Sequence, residues 1–175
     1  VYQDFCWLNE KKKDIRKTIE AQIVDKKIIG SDILILKIKV TKTLARQLMQ
    51  PGSYIFIRDP NQPFFFDVPM SIMRVDRQKT EIDVAIQLLG AKTKKLLDCG
   101  EKVLLKGPYW NGLLGLKHLK RLKEKNILVI ARGIALAPAL LVIEYLLSHK
   151  NKVTFMMDPG KMGKIFIEDY LHDLD

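Results

Sequence analysis

Four short segments contain residue types that could bind a phosphorylated cofactor with a flat ring. They read Pro-Gly-Ser-Tyr at residues 51–54, Val-Pro-Met-Ser-Ile at 68–72, Gln-Leu-Leu-Gly-Ala-Lys-Thr-Lys-Lys-Leu at 87–96 and Gly-Pro-Tyr-Trp-Asn-Gly at 107–112. The last precedes an apolar stretch that leads into Gly-Ile-Ala-Leu-Ala-Pro at residues 133–138.

The segment around Gly90 predicts a strand, a glycine turn and a helix with Thr93 in its first turn. Exposed N–H groups at such a turn form an anion site that would suit a pyrophosphate, although an ordinary capped turn would use the same residues. Ser71 places a hydroxyl at the start of a strand, beside residues that could lie against a ring. The turn at Gly133 is a weaker phosphate-loop candidate, because Ala135 stands where a second glycine would let the backbone approach a phosphate.

Residue types that bind metals or transfer protons are sparse and scattered. The three histidines, His118, His149 and His172, lie in basic or terminal segments, and we interpret them as surface residues. The two cysteines, Cys6 and Cys99, are too few for a disulfide framework or a four-thiolate cluster, and we expect free thiols. We therefore predict no catalytic side chain and no metal site.

Hydrophobic alternation predicts the strands that would position these segments. Residues 33–40 alternate strictly, with a wholly apolar face formed by Leu34, Leu36, Ile38 and Val40. Five more strands are predicted at residues 18–29, 54–58, 70–75, 81–89 and 102–106, and short helices at 44–49 and 92–98. Six strands at this even spacing are typical of an antiparallel barrel or sandwich.

The pattern changes after Gly112. Residues 126–131 are continuously apolar, as in a buried parallel strand, and a helix, a second apolar strand and another helix follow at about 138–149, 153–157 and 166–171. This order predicts a βαβ unit, which is smaller than a complete doubly wound domain. We expect an N-terminal extension at residues 1–16, a barrel at 17–116 and the start of a truncated α/β domain at 117–175.

Composition and charge weigh against several classes of protein. The 175 residues are 47% hydrophobic, which is enough to bury a core. The longest apolar stretch, residues 134–147, is interrupted by Pro138 and Glu144, and residues 1–5 show no signal pattern, so we expect a cytoplasmic protein without a membrane span. The net charge of +10 comes without a nucleic-acid motif, so we favour a lysine-rich solvated surface over a nucleic-acid-binding barrel.

Taken together, the motifs resemble the ferredoxin–NAD(P) reductase superfamily, and most closely the electron-transfer subunits of class B dihydroorotate dehydrogenases and clostridial sulfide dehydrogenase-like flavoproteins. The ordered set Pro-Gly, Pro-x-Ser-Ile, Gly-x-x-Thr-x-x-Leu, Gly-Pro-x-x-Asn-Gly and Gly-Ile-x-x-Ala-Pro carries the resemblance. It implies a six-stranded antiparallel Greek-key barrel that binds FAD, followed by an incomplete Rossmann-like NAD(P)-binding domain. The implied function is electron transfer between NAD(P)H and a redox partner protein or catalytic subunit, with iron–sulfur proteins among the candidate partners.

The resemblance also implies which residues bind the cofactors. The segment along the isoalloxazine ring is matched by Pro69, Met70, Ser71 and Ile72, and the strand facing the ribityl and adenosine groups by Ile86, Gln87 and Leu88. The pyrophosphate turn is matched by Gly90, Lys92 and Thr93, and the hinge under the flavin by Asn111 and Gly112. The nicotinamide-nucleotide turn is matched by Gly133, Ile134, Ala135 and Pro138.

Several positions depart from the family pattern. Val68 stands where the family has an arginine that meets the flavin phosphates. Ala131 and Arg132 replace two glycines before Gly133, and Ala135 replaces a further glycine. Loss of such an arginine removes about 1.5–3 kcal/mol of charged hydrogen bonding, which weakens binding by about one to two powers of ten. Lys92 could compensate in charge. The alternative hypothesis is a non-enzymatic docking or regulatory module of the same fold, with weak or no cofactor binding.

Overall fold

The computed structural model describes residues 17–172, and most of the barrel region is a single antiparallel sheet. Its strands lie in the spatial order β4-β3-β7-β1-β2-β6-β5. β4 and β5 occupy opposite edges of this order, yet only Ile72 and Met73 separate them in the chain. The sheet therefore curls until its edges meet. The seven strands are β1 (Lys17–Ile29), β2 (Ile33–Lys39), β3 (Tyr54–Arg58), β4 (Val68–Ser71), β5 (Arg74–Asp76), β6 (Glu81–Gln87) and β7 (Lys102–Tyr109).

Short helical segments connect the strands. Helix α1 (Lys42–Leu48) links β2 to β3 and begins at Thr41, whose hydroxyl accepts a hydrogen bond from the Leu44 N–H at 3.2 Å. A 3₁₀ turn, Phe64–Phe66, precedes β4. Helix α2 (Ala91–Lys95) links β6 to β7.

The second part of the described chain is a small α/β unit. It contains α3 (Leu116–Leu119), β8 (Asn126–Arg132), α4 (Leu136–Ser148), β9 (Lys152–Asp158) and α5 (Glu168–Leu171). β8 and β9 pair in parallel along their whole length, which confirms the predicted βαβ unit. Two 3₁₀ turns, Gly133–Ala135 and Gly160–Met162, follow the carboxyl ends of these strands.

One predicted strand is in fact two. The sequence pattern predicts a continuous strand at residues 70–75, but the chain turns a corner at Ile72 and Met73. The Ile72 N–H donates to the Ser53 carbonyl before β3 at 3.0 Å, and the Met73 N–H donates to the Asp83 carbonyl in β6 at 2.9 Å. Consecutive residues thus bond to opposite edges of the sheet, and the prediction of six strands was wrong for this reason.

Both faces of β2 are buried, although only one was predicted to face a core. Leu34, Leu36 and Ile38 point into the barrel, as the alternation predicts. Ile33 and Ile35 belong to a second apolar cluster outside the barrel. That cluster joins barrel residues to the α/β unit, so the two parts share a core; its members include Met73, Ala85, Leu136, Leu140, Phe166 and Ile167.

A charged group lies at one end of this shared surface. Asp83 of β6 is the cross-strand partner of Lys37 in β2 and of Arg74 in β5, and only 5% of it is exposed. Burial raises the pKa of Asp83 to about 6, with Lys37 and Arg74 acting in the opposite direction. The Arg74 guanidinium lies 5.9 Å from the ring centroid of Tyr170 in α5, so the charges of the barrel reach the α/β unit.

We expect Asp83 to make stability depend on pH. Its pKa of about 6 exceeds the ordinary value of 3.8, so between these pH values the folded chain binds a proton that the unfolded chain does not. Its contribution to the free energy of unfolding therefore increases as the pH falls from 7 to 4, by on the order of 2 kcal/mol. Asp83→Asn lacks this contribution.

Denaturant unfolding of both proteins at several pH values between 4 and 7 measures the effect. The stability of the wild type should rise relative to that of Asp83→Asn as the pH is lowered through 6. Parallel stability curves for the two proteins would contradict the prediction.

Candidate cofactor site

A cavity of about 280 Å³ lies between the barrel and the α/β unit. Four residues of the predicted site, Ser71, Gly112, Ala135 and Pro138, line it. They come from β4, the segment after β7, the turn after β8 and the first turn of α4. The remaining lining residues are Gly52, Leu113, Val129, Ile130, Ala131, Ala139 and Val142.

Another cavity, of about 340 Å³, lies elsewhere along the same junction, beside Arg74, Glu144 and Tyr170. Among the described residues that line it, none belongs to the predicted cofactor site. The smaller cavity is therefore the candidate that the sequence motifs support.

Two glycines bring the first and fourth motifs into contact. The Gly112 N–H donates to the Gly52 carbonyl at 3.1 Å, and a Cβ on Gly112 would lie 2.6 Å from that oxygen. Gly52 has a φ of +78°, and a Cβ there would lie 2.5 Å from the Cβ of Leu113. Because any side chain would separate these backbones, the cavity wall requires glycine at both positions.

An aromatic cluster borders the same two motifs. The rings of Tyr54 and Tyr109 stack with centroids 5.0 Å apart, and Phe56 meets Tyr109 edge-on at 5.2 Å. The Tyr54 hydroxyl donates to the Asn111 amide oxygen at 3.1 Å, which orients a predicted site residue. Tyr54 and Tyr109 were not among the predicted site residues. The signal in the sequence was that Tyr109 directly follows Gly-Pro and that Tyr54 follows Pro-Gly-Ser. The structure makes the two tyrosines cross-strand partners.

The β4 segment divides its residues between the core and the surface. Pro69 and Ser71 are exposed, Met70 packs partly against the barrel core, and Ile72 is buried at the corner. Val68, at the position of the family arginine, is also buried in the core. Ser71 is thus the residue of this segment whose polar side chain is free to meet a ligand in the cavity.

Ile86, Gln87 and Leu88, which were predicted to face the ribityl and adenosine groups, lie at the end of β6 and mainly in the core. Ile86 and Leu88 are buried among the barrel side chains, and the Leu88 N–H donates to the Asp32 carbonyl at 2.7 Å. Gln87 is half-buried and donates from its amide to the Asp32 carboxylate at 3.2 Å. This strand positions the Gly90 turn and does not line the cavity.

The Gly90 turn is closed by its own threonine. The Thr93 hydroxyl accepts from the Gly90 N–H at 3.2 Å and donates to the Gly90 carbonyl at 3.0 Å. The Lys92 ammonium extends to the preceding loop, where it lies 3.9 Å from the ring centroid of Phe65. The described residues that line the cavity do not include Gly90, Lys92 or Thr93. The pyrophosphate role of this turn therefore stays a prediction.

The turn after β8 carries an ion pair of its own. Gly133 has a φ of +60°, and the 3₁₀ turn places Ala135 and Pro138 at the cavity while Ile134 packs against the second core cluster. The Arg132 Nε lies 3.3 Å from an oxygen of Asp158, across the carboxyl ends of β8 and β9. The other Asp158 oxygen accepts from the Gly160 N–H at 2.7 Å.

The cavity suits a flat, largely apolar ring. Its walls are rich in glycine, alanine and branched aliphatic residues, and the Ser71 hydroxyl supplies a polar group. Ser53, next to Gly52, is 1% exposed, and its hydroxyl has no hydrogen-bond partner within residues 17–172. A buried hydroxyl of this kind calls for a partner such as a ligand or a water molecule.

Cys99 is a buried free thiol. Burial raises the pKa of its thiol, which donates a hydrogen bond to the Leu96 carbonyl. Cys6 and the predicted N-terminal extension lie outside the described residues. Across the described part of the chain, no group of three His, Cys, Asp or Glu side chains could hold a metal ion. Within the same residues, no helix is both long and apolar enough to cross a bilayer.

No family model matches the sequence. The electron transfer subunit of dihydroorotate dehydrogenase B (NAD(+)) from Shouchella clausii is 27% identical over 128 residues, which cover 71% of this chain and 48% of that protein. The chain thus spans about half the length of this relative.

Solved structures share the fold at low sequence identity. The NADH-dependent reduced ferredoxin-NADP oxidoreductase superposes with a TM-score of 0.71 at 18% identity, covering 89% of this chain and 54% of that chain. The H286L mutant of the Plasmodium falciparum ferredoxin-NADP⁺ reductase gives 0.65 at 14% identity, covering 89% and 64%. These structural likenesses confirm the predicted barrel followed by a Rossmann-like unit, and the Shouchella clausii relative supports the resemblance stated from the motifs.

We expect Gly112→Ala to destabilise the protein by about 2 kcal/mol or more, because its Cβ would collide with the Gly52 carbonyl. Gly100→Ala is the matched control, since a Cβ there meets nothing within 4 Å. Urea unfolding of both variants measures the difference. Equal stabilities would show that the contact between the two motifs is not a packing constraint.

Proposed function

We propose that the chain, which resembles ferredoxin–NAD(P) reductases in sequence and fold, is a flavin-dependent electron-transfer module. It moves electrons between NAD(P)H and a partner redox protein or catalytic subunit. The observation that carries the proposal is the junction cavity, where Ser71, Gly112, Ala135 and Pro138 converge from motifs far apart in the sequence. FAD is the proposed cofactor of the barrel, and the turn after β8 is the proposed nicotinamide-nucleotide site.

Bound FAD would supply the redox chemistry, accepting a hydride from a nicotinamide and passing electrons onward. The residues of the chain would bind and orient the ring. Gly52 and Gly112 place no side chain in the cavity wall, and the apolar side chains of β8 and α4 restrict the access of water to the cavity. The Ser71 hydroxyl would form a hydrogen bond to a polar edge of the ring. No side chain of the chain needs to act as an acid, a base or a nucleophile in this scheme.

The partner is proposed from charge and from the relatives. The Shouchella clausii relative is named as a subunit, and a module of the same kind would deliver electrons to a catalytic chain or to an iron–sulfur protein. The net charge of +10 favours a partner with an acidic contact surface. We further propose a cytoplasmic location and a division of function between residues 17–116 and 117–175.

A docking or regulatory module without useful cofactor affinity is the second candidate. Two observations favour it: Val68 replaces the phosphate-pairing arginine, and the Arg132–Asp158 ion pair lies at the turn where the family has glycines. The two candidates differ in a single measurable property, the affinity for flavin.

We expect the purified protein to take up FAD and to show absorption bands near about 370 and 450 nm. Ser71→Ala should weaken FAD binding by about fivefold to tenfold, because one hydrogen bond contributes about 1 kcal/mol. Ser31→Ala, on the exposed turn between β1 and β2, is the matched control and should bind as the wild type does. A protein that stays colourless throughout an FAD titration would favour the docking module.

We expect NADH or NADPH to bleach the 450 nm band under anaerobic conditions in a chain extended to the full length of its relatives. Ala135→Gly should increase the rate, because a glycine at the turn lets the backbone approach a phosphate. Stopped-flow absorbance measures both rates. If the flavin binds but neither nucleotide bleaches it, the nicotinamide site is excluded and the barrel assignment stands.

A further inference from the structure

Charges of alternating sign cross four strands on the outer face of the barrel. Asp25 in β1 is the cross-strand partner of Lys37 in β2, which is the partner of Asp83 in β6. Asp83 is in turn the partner of Arg74 in β5. Opposite charges that face each other across strands attract. We call these four residues the charged row, and Asp83, which is 5% exposed, is its buried member.

Helix α5 of the α/β unit covers the charged row. The ring centroid of Tyr170 lies 5.9 Å from the Arg74 guanidinium. Burial raises the pKa of the Tyr170 hydroxyl to about 12, and the charge of Asp83 acts in the same direction, so the phenol stays neutral above the row. The neighbouring Asp169 accepts a hydrogen bond from the Lys27 ammonium of β1 at 2.8 Å. Helix α5 is thus held on the barrel by charged groups as well as by the second apolar cluster.

Helix α4 connects this charged contact to the candidate cofactor cavity. Leu140 and Glu144, one helical turn apart, line the other junction cavity beside Arg74 and Tyr170. The same helix supplies three residues that line the candidate cofactor cavity: Pro138, Ala139 and Val142. Because one continuous helix carries both sets of residues, a movement at the charged contact also changes the cofactor cavity.

Asp83 lies among charged groups from the strands that pack on it. Burial raises the pKa of its carboxyl to about 6. Lys37 of β2 and Arg74 of β5 lower this pKa, whereas Glu81 of β6 and Asp76 of β5 raise it further. The loss of water around Asp83 therefore outweighs the attraction of its two cationic neighbours.

The α/β unit adds two weakly acidic groups to the same contact. The neutral Tyr170 hydroxyl faces Asp83 from α5. Glu144 of α4 faces Arg74, and burial raises the pKa of its carboxyl as well. Neither group carries a positive charge. These two groups thus remove water from the Asp83 carboxyl and supply no cation in its place.

Separation of α5 from the charged row would return water to Asp83. The pKa of the carboxyl would then fall from about 6 toward its ordinary value of 3.8. The closed contact therefore binds the proton more tightly than the open contact does. Its advantage over the open contact decreases as the pH rises between these two values.

We propose that the charged row is a proton-dependent switch, which holds α5 on the barrel when Asp83 is protonated and releases it more readily when Asp83 is ionised. This inference goes beyond the proposed function and needs no flavin. Because α4 connects the row to the candidate cofactor cavity, that cavity opens more readily at neutral than at acidic pH.

Hydrogen–deuterium exchange of the wild type between pH 5 and pH 7, without any cofactor, tests the switch. The measured quantity is the exchange rate of residues 166–172, divided by the intrinsic rate at each pH. We expect this corrected rate to increase about tenfold from pH 5 to pH 7, as the pKa difference between the closed and open contacts requires. It should level off above pH 7, where Asp83 is ionised in both forms. At every pH it should exceed the corrected rate of β7 by at least about tenfold, because α5 opens without unfolding of the barrel.

Four variants identify the group that binds the proton. Asp83→Asn keeps the shape of the side chain and removes its titration, so the tenfold change should disappear. Asp98→Asn is the matched control, since it removes an exposed carboxyl after α2 and should behave as the wild type does. Glu144→Gln and His172→Gln remove the other groups near α4 and α5 that gain or lose charge in acid, and each should keep most of the change.

Three results would overturn the inference. The first is a corrected rate in the wild type that does not vary with pH. The second is a pH dependence that survives in Asp83→Asn but disappears in Glu144→Gln or His172→Gln. The third is equal exchange of residues 166–172 and of β7, because the opening would then be global unfolding. If Asp83→Asn fails to fold, the wild-type profile and the other variants still distinguish these results. None of the measurements involves flavin, so a failure of the switch and a failure of the proposed function are separate outcomes.

Discussion

The corner at Ile72 and Met73 is the constraint on which the other features depend. One residue donates its N–H to the β3 side of the sheet and the next donates to β6, so the sheet closes at this point. Closure satisfies backbone groups that would otherwise lie at open edges. It also places Ser71, the last residue of β4, beside Gly52 in the wall of the cavity. Met73, one step beyond the corner, packs on the α/β unit instead of in the barrel.

The α/β unit is positioned by the outer face of the barrel. Ile33, Ile35 and Ala85 form an apolar surface on β2 and β6, and Leu136, Leu140 and Phe166 cover it. The junction cavity lies where this covered surface gives way to the glycine contact between the first and fourth motifs. At another end of the junction the contact becomes charged, with Asp83 buried between Lys37 and Arg74. The same interface thus combines apolar packing, which holds the two parts together, with a carboxyl group whose pKa is raised by burial.

The distribution of positive charge distinguishes this chain from the pattern of the proteins that it resembles. Val68, which is buried, occupies the position of the family arginine, while the Lys92 ammonium lies 3.9 Å from the ring centroid of Phe65. Arg132 adds a guanidinium at the turn after β8 but shares it with Asp158.

The sequence alone was sufficient for features that depend on local pattern. Strict alternation identified the inner face of β2, and the continuous apolar stretches identified β8 and β9, because side-chain periodicity reflects the environment of each strand. The order of short motifs was sufficient for the resemblance, and it included four of the residues that line the cavity, Ser71, Gly112, Ala135 and Pro138.

Only the tertiary structure decided which of those residues meet. The break in the strand at residues 70–75 arises from bonds to two distant strands, and no local signal records it. The requirement for glycine at position 112 comes from a carbonyl sixty residues earlier in the chain. The Lys92–Phe65 contact and the burial of Asp83 likewise join residues that are remote in sequence. Periodicity describes the environment of one element, whereas contact between elements depends on how the closed sheet brings them together.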